Sequence, residues 1–345
     1  MQQIIGWDVG GAHLKAARAE NGVIVWAAQI ACPLWLGAAE LDRAFYEAES
    51  ALGRAPLNAI TMTGELCDAF ATREEGVAGL AAIMVRLLGP GRAVFYAGRS
   101  GFVESHEIPG HASAIASANW HASAALTGMR VGSALFIDMG STTTDIVPVA
   151  GSRPANRGFT DAERLLHGEL VYCGLTRSFL MAGPKLVPFA GQWTPLMNEW
   201  FATMADVHRI LGKLPDGADM METADGREKS KAGSSARLAR MIGRDSIEAG
   251  DTAWESLARF FAEAQLREIM DAVALVLSRG LIDVESPIVG AGIGRGVLGE
   301  LSTRMGRRFI DFEDMIDATP EARSKACDCA PASAVALLAS AHFPA

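Results

Sequence analysis

The sequence predicts an α/β protein of two domains made by duplication, with an extra segment inserted in the second. Three observations predict it. A pattern occurs twice, first as Ile4-Ile5-Gly6-Trp7-Asp8-Val9-Gly10-Gly11-Ala12-His13-Leu14-Lys15 and again as Leu135-Phe136-Ile137-Asp138-Met139-Gly140-Ser141-Thr142-Thr143-Thr144-Asp145. Each copy is an apolar run, an Asp, a Gly two residues later, a polar turn and a second apolar run, so that Asp8 aligns with Asp138, Gly10 with Gly140 and Lys15 with Asp145. Around both copies, strand-like runs alternate with helical spacing, the mark of α/β construction. Near the C-terminus, Pro287-Ile288-Val289-Gly290-Ala291-Gly292-Ile293-Gly294 reads as a strand entering a glycine turn and a helix.

The elements follow in order. Residues 2–8, 14–19 and 23–30 read as three successive strands, with Asn21-Gly22 as the turn between the last two. A helix is expected over 40–52, a strand over 57–63, a helix over 76–88 and a strand over 93–96. The Ala-rich stretch 112–126 is expected to be one helix crossing into the second domain, which the second hairpin opens. Residues 158–250 have no counterpart in the first half and read as an insertion. A long helix is expected over 251–278, a short strand over 309–312 and an Ala-rich helix over 331–341.

Composition bounds the function. A chain of 345 residues suits two domains, and 50% hydrophobic content can fill a core in each. A net charge of −9 without an extended basic run argues against nucleic acid as a partner. No apolar stretch is long enough to span a bilayer, and the N-terminus enters a strand without a charged leader, so neither membrane insertion nor secretion is expected. Five scattered cysteines favour reduced thiols and a cytoplasmic protein. Cys327-Asp328-Cys329 lacks the second Cys or His pair that a zinc site needs. The expected partners are small molecules, with a homo-oligomer left open.

The repeated motif has a physical reading. An Asp at a strand end lies at the rim of a sheet, where it can hold hydrated Mg²⁺. A Gly two residues later lets the backbone turn tightly and approach a phosphate, and successive N–H groups in such a turn form an anion-binding concavity. Ser141, Thr142, Thr143 and Thr144 add uncharged donors. Asp8 and Asp138 are therefore the metal candidates. Gly10, Gly11, Lys15, Gly140 and Ser141 to Thr144 are the phosphate candidates.

The order of hairpin, hairpin and glycine turn resembles the sugar-kinase, heat-shock-protein and actin superfamily. That resemblance implies a two-domain actin-like ATPase fold, a duplicated ribonuclease H-like unit. It implies domains at 1–127 plus about 320–345 and at 128–319, with the insertion at about 158–250 and the C-terminal helix returning to the first domain. It also puts Gly290, Gly292 and Gly294 at a nucleotide. One departure matters: kinases of this fold carry a hydroxyl in the first hairpin, whereas here the turn is Gly11-Ala12-His13. The cleft is therefore expected to hold the diphosphate of a substrate, and ATP is left open.

Two blocks in the insertion are polar for their context: residues 203–212, with Asp206 and His208, and residues 222–231, with Asp225, Arg227, Lys229 and Lys231. Arg237, Arg240 and Arg244 follow at three- and four-residue steps and would share a face in a helix. The basic residues suit a diphosphate or a carboxylate; a solvated charged face is the other reading. Asp206 and His208 read equally as a helix cap and a surface histidine.

Thr61-Met62-Thr63-Gly64-Glu65-Leu66, the second hairpin and both polar blocks resemble a small hydantoinase/oxoprolinase-like family tied to tetrahydromethanopterin-linked one-carbon metabolism, whose members include condensing enzymes of methanofuran biosynthesis. The resemblance covers nearly the whole chain. It implies an enzyme that joins an aminomethylfuran-methyl diphosphate to the phenol oxygen of a tyramine- or tyrosine-type acceptor, forming an aryl ether and releasing diphosphate. The Ala-rich composition favours the bacterial, tyrosine-type variant. Mg²⁺ on Asp8 and Asp138 would neutralise the leaving group, with the hairpin N–H groups, the threonines and Lys15 adding to it. A phenol with an unperturbed pKa of ~10 needs a base or a cationic pocket; Asp145 and Glu65 are the candidates for the base. Glu65 reads equally as a helix-start glutamate. Asp206, Asp225, Arg227, Lys229 and Lys231 are the implied substrate residues. An ATP-dependent kinase or amidohydrolase of the same fold is the main alternative, and a non-catalytic ATP-sensing scaffold the third.

Overall fold

The computed structural model describes residues 1–344. The first sheet contains β1 (Gln3–Val9), β2 (His13–Glu20), β3 (Val23–Ala31), β4 (Leu57–Met62), β5 (Ala93–Tyr96) and β6 (Phe102–Glu104), in the order β3-β2-β1-β4-β5-β6. Strands β1 to β3 form an antiparallel meander, β1, β4 and β5 run parallel, and β6 returns antiparallel on β5. Helices α1 (Ala39–Leu52) and α2 (Arg73–Leu88) connect them, followed by α3 (Ile108–Ile115) and α4 (Asn119–Val131).

The second sheet repeats the plan. It contains β7 (Ala134–Met139), β8 (Thr144–Ala150), β9 (Arg153–Pro154) and, after α5 (Asp161–Leu166), β10 (Leu170–Val171). A separate hairpin, β11 (Leu186–Phe189) and β12 (Gln192–Pro195), precedes α6 (Met204–Ile210), α7 (Lys231–Met241) and α8 (Asp251–Leu277). The chain then adds β13 (Ile288–Ala291), α9 (Arg295–Arg304), β14 (Phe309–Asp311), α10 (Phe312–Met315), α11 (Pro320–Asp328) and α12 (Ala330–His342). The sheet order is β10-β8-β7-β13-β14, with β9 on β8. With β6, β9 and the separate β11–β12 hairpin set aside, both sheets read 3-2-1-4-5 within their half, which is the duplication written in topology.

Burial on both faces explains why β1 and β7 are almost wholly apolar. On one face of β1, Ile5, Trp7 and Val9 join a core with Phe45 of α1 and Leu80 of α2. Trp7 stacks on Phe45 at 5.0 Å and donates its indole N–H to Asn58 Oδ1 at 3.0 Å. On the other face lies α12, whose alanines let it approach closely. A methyl group at Gly6 would overlap the carbonyl of Ala332 and come within 2.9 Å of the Ala336 nitrogen. Ile4, Trp120, Phe136, Val147 and Val335 belong to one continuous core, so α4 and α12 join the two sheets.

Three expectations change. The single helix expected over 112–126 is two, because the chain breaks at Ser117, whose φ of 51° is left-handed. The stretch 158–250 is not wholly without a counterpart: β10 lies in it and pairs with β8, taking the place that β3 holds in the first sheet. The added mass comes after it, as β11 to α7 closing over the first part of α8 around Val187, Leu238, Trp254 and Phe261. Arg237, Arg240 and Arg244 do not share a face: Arg237 is fully buried, Arg240 is exposed and Arg244 lies beyond the end of α7.

The Gly6–α12 contact yields a test. Gly6→Ala is expected to lower stability by roughly 1–3 kcal/mol through overpacking, seen as a lower urea midpoint at unchanged slope. An unchanged midpoint would show that α12 can move away at no cost.

Candidate active site

The two repeated hairpins face each other across a cleft of about 500 Å³. Asp8 lies near the end of β1 and Asp138 near the end of β7. Gly10 N–H bonds to the His13 carbonyl at 3.0 Å and Gly140 N–H to the Thr143 carbonyl at 2.9 Å. Those two donors close the turns and are not available to a ligand. The N–H groups of Gly11, Ala12, Ser141 and Thr142 have no protein acceptor among the described residues, and all four residues line the cleft. Successive free N–H donors in a turn form the kind of concavity that can accept an anionic group.

The charges around them are unusual. Asp8, Asp138 and Asp145 all line the cleft, and burial raises the pKa of each. Asp138 is pushed up to about 7, first by burial, against the pull of Lys15, and then by Asp145 and Asp8. For Asp145, burial outweighs the opposing Arg164 guanidinium, which bonds its Oδ1 at 2.8 Å. Lys15 Nζ stands 3.8 Å from Asp8 Oδ2. Burial would lower the Lys15 pKa, but Asp8, Asp138 and Asp145 together raise it, so the ammonium is held charged. His13 is the reverse: burial, Lys15 and Arg177 press it down to about 3, so it is a neutral imidazole at physiological pH.

Glu65 is buried behind Leu66 and Cys67, which line the cleft. The Ser117 hydroxyl, placed by the break between α3 and α4, donates to its Oε1 at 2.6 Å, and Arg73 is 4.0 Å away. Its Oε2 has no partner among the described residues, and burial raises its pKa. Burial thus keeps its proton on to higher pH than in an ordinary glutamate. Arg73 also pairs with Asp161 at 3.2 Å, tying the first half of the chain to the second.

Several candidates from the sequence lie outside the cleft. Thr144 is fully buried and gives its hydroxyl to the Cys173 carbonyl at 2.6 Å. Gly290, Gly292 and Gly294 do not line it. They allow close packing: a side chain at Gly290 would strike the Phe309 ring, at Gly294 the Met139 side chain, and at Gly292 the Asp138 carboxylate itself. The insertion residues form an internal network instead. Asp206 caps α6 through the Thr203 N–H at 3.1 Å and receives Ser234 at 2.7 Å and Arg237 at 2.8 Å. Arg237 also pairs with Asp225 at 3.1 Å. Lys229 bonds the Asp219 carbonyl at 2.8 Å, Lys231 pairs with Glu255 at 2.6 Å, and Arg227 serves Asp225 through its backbone N–H at 3.2 Å. None of the five lines the cleft. His208 is buried, its Nε2 against Gln265 at 2.8 Å.

The structure also adds residues that the sequence did not mark. Arg164, on α5, is buried with its guanidinium 4.0 Å from the Trp120 ring centroid. Arg177, Tyr172, Trp35, Trp120 and Thr63 line the cleft as well. The local signal for Arg164 was the Thr160-x-x-Glu163 capping box that starts α5, and Thr63 lies within the Thr61–Leu66 motif.

The donor set fits Mg²⁺. The carboxylates are hard oxygen ligands, and Asp8 Oδ1 is buried without a hydrogen-bond partner among the described residues. Asp8 and Asp138 would hold the ion.

The hydantoinase/oxoprolinase family profile matches residues 57–315. A protein of Methanocaldococcus jannaschii named (4-{4-[2-(gamma-L-glutamylamino)ethyl]phenoxymethyl}furan-2-yl)methanamine synthase is 28% identical over 296 residues, 86% of this chain and 87% of its own length. A protein of the same name from Methanococcus vannielii is 28% identical over 169 residues, 49% of this chain and 76% of its own length. Nucleotide-free acetone carboxylase superposes with a TM-score of 0.55 at 10% identity, over 98% of this chain and 70% of that one. The two-domain actin-like fold expected from the sequence is the fold found.

Glu65 supplies a pH test. Its folded pKa is raised, so its favourable contribution is complete below the unfolded value near 4.5 and is lost as pH rises above it. Glu65→Gln keeps the shape without the titration. The stability of the variant minus that of the wild type is expected to grow from pH 4.5 to pH 7.5, measured by urea midpoints. A constant difference would show that Glu65 is an ordinary carboxylate.

Proposed function

The chain belongs to the hydantoinase/oxoprolinase family, and from that premise we propose that it is a cytoplasmic transferase of methanofuran-type cofactor biosynthesis. In this reading it joins an aminomethylfuran-methyl diphosphate to the phenol oxygen of a tyrosine- or tyramine-type acceptor and releases diphosphate. The relatives' name describes such a product, a phenoxymethylfuran bearing an aminomethyl group. The observation that carries the reading is the cleft: free N–H groups on two turns, with a partly buried carboxylate, Asp145, and Trp35, Trp120 and Tyr172 lining the same space. The two walls of the cleft are assigned to domains 1–127 plus about 320–345 and 128–319.

The residues divide the work. The N–H groups of Gly11, Ala12, Ser141 and Thr142 and the Lys15 ammonium bind the diphosphate and take up its charge as the carbon–oxygen bond breaks. Mg²⁺ bound through Asp8 and Asp138 would supply the remaining neutralisation. The phenol oxygen forms the new bond to the furanylmethyl carbon, and its proton passes to Asp145 Oδ2. Arg164 holds Oδ1, which fixes the carboxylate and leaves the other oxygen to accept. Burial makes Asp145 a stronger base than an exposed carboxylate. Glu65, bonded to Ser117 and outside the cleft lining, is left with a supporting place. His13 stays neutral and adds no charge to repel the acceptor.

The test is a mass-resolved assay with Mg²⁺, the furan diphosphate and a panel of phenols, with and without ATP. The expected result is an ether with one diphosphate released per product, independent of ATP. Asp145→Asn is expected to lower kcat roughly 10²–10⁴-fold while keeping the fold. ATP hydrolysis with no ether from any phenol would replace this reading with the kinase or amidohydrolase one.

A further inference from the structure

The basic residues 227, 229 and 231, expected to grip an anionic group of the substrate, are engaged within the insertion or lie away from the cleft. The cleft has its own cations, Lys15, Arg164 and Arg177. Lys15 is paired with Asp8 and Arg164 with Asp145. Arg177 makes no ion pair and no side-chain hydrogen bond among the described residues. Its only recorded neighbour of that kind is an aromatic face: the guanidinium carbon lies 5.5 Å from the Trp35 ring centroid. Trp35 belongs to the turn Leu34–Leu36 after β3, so this contact spans the mouth of the cleft from the first half of the chain to the second.

The root of Arg177 is fixed. Its backbone N–H bonds the Ser141 carbonyl at 2.8 Å, and the Thr176 N–H and hydroxyl reach the same carbonyl at 3.2 and 3.4 Å. The side chain is partly desolvated, and the titratable groups that face it are the phenol of Tyr172 and the neutral His13. A half-buried guanidinium with no counter-ion costs stability unless a ligand supplies the anion. Its planar fork suits a carboxylate bidentately, and Trp35 and Tyr172 beside it suit an aryl ring. The diphosphate has its own donors in the two turns.

We propose that Arg177, braced on Trp35, binds a carboxylate carried by the phenolic acceptor and so selects an amino-acid-type phenol over the bare amine. This rests on the transferase reading above. The phenol oxygen would then point inward to Asp145 while the acid end stays at the mouth.

The test is isothermal titration of the intact protein with Mg²⁺, using L-tyrosine, tyramine and inorganic diphosphate in turn. The first two differ only by the carboxylate. Wild-type protein is expected to prefer L-tyrosine by about tenfold or more, Arg177→Gln to erase that preference without changing tyramine or diphosphate affinity, and Arg177→Lys to keep part of it. Thermal melts of both variants confirm the fold. Equal binding of the two phenols by wild type overturns the assignment, as does an Arg177→Gln variant that loses diphosphate and keeps the tyrosine preference. The assay for ether product is run alongside. Ether formation without an Arg177 effect sinks this inference alone, whereas no ether and no phenol binding sinks the transferase reading with it.

Discussion

Everything in the cleft follows from setting Asp8, Asp138 and Asp145 side by side in a poorly solvated place. Loss of water disfavours the charged form of each, and their mutual repulsion adds to it. For Asp138 burial is the larger cause; Lys15 opposes it, Asp145 and Asp8 add to it, and the pKa climbs to about 7. The surroundings are arranged to sustain the arrangement rather than to relieve it. Gly292 has no side chain because the Asp138 carboxylate occupies that space. Arg164 is held in place by the Glu169 carbonyl at 2.8 Å and by the face of Trp120. An apparatus that stores negative charge opposite unsatisfied N–H groups is suited to a ligand that brings both a cation and an anion.

Much of this was legible because it is local. Asp8, Gly10, Asp138 and Gly140 occur within one strand and one turn, so their spacing alone fixes where they stand. The duplication itself was legible in the repeated motif, whereas the order of strands in the sheets came from the structure. What could not be read was tertiary. Arg164 and Arg177 come from a stretch with no repeat and no motif, and only the pairing of β10 with β8 brings them to the cleft. For Lys229 and Lys231 the sequence shows charge and not its partners. The partners, Asp219 and Glu255, come from separate segments. Ser117 was hidden inside an apparently helical run, since alanine content says nothing about a single left-handed residue.

The insertion block with Asp206 and His208 has a place even though it touches no ligand site. His208 bonds Gln265 of α8, and Gln265 donates to the Gly174 carbonyl at 2.8 Å. Gly174 packs against the backbone of Ser141 and Thr142, with no room for a side chain. The block is thus the far end of a chain of polar contacts that backs the second hairpin. Arg237 is buried between Asp206 and Asp225 at the centre of that block.

The close approach of α12 to Gly6 also sets an order of events during synthesis. Strand β1 cannot cover its second face until residues 330–342 exist, because that face is built to receive those alanines and nothing bulkier. Contacts between the two ends of a chain this long carry a large loop-closure cost and form late. The nascent first half therefore waits with Ile4, Ala17 and Ala19 uncovered, an apolar sheet face open to non-native contacts until α12 arrives.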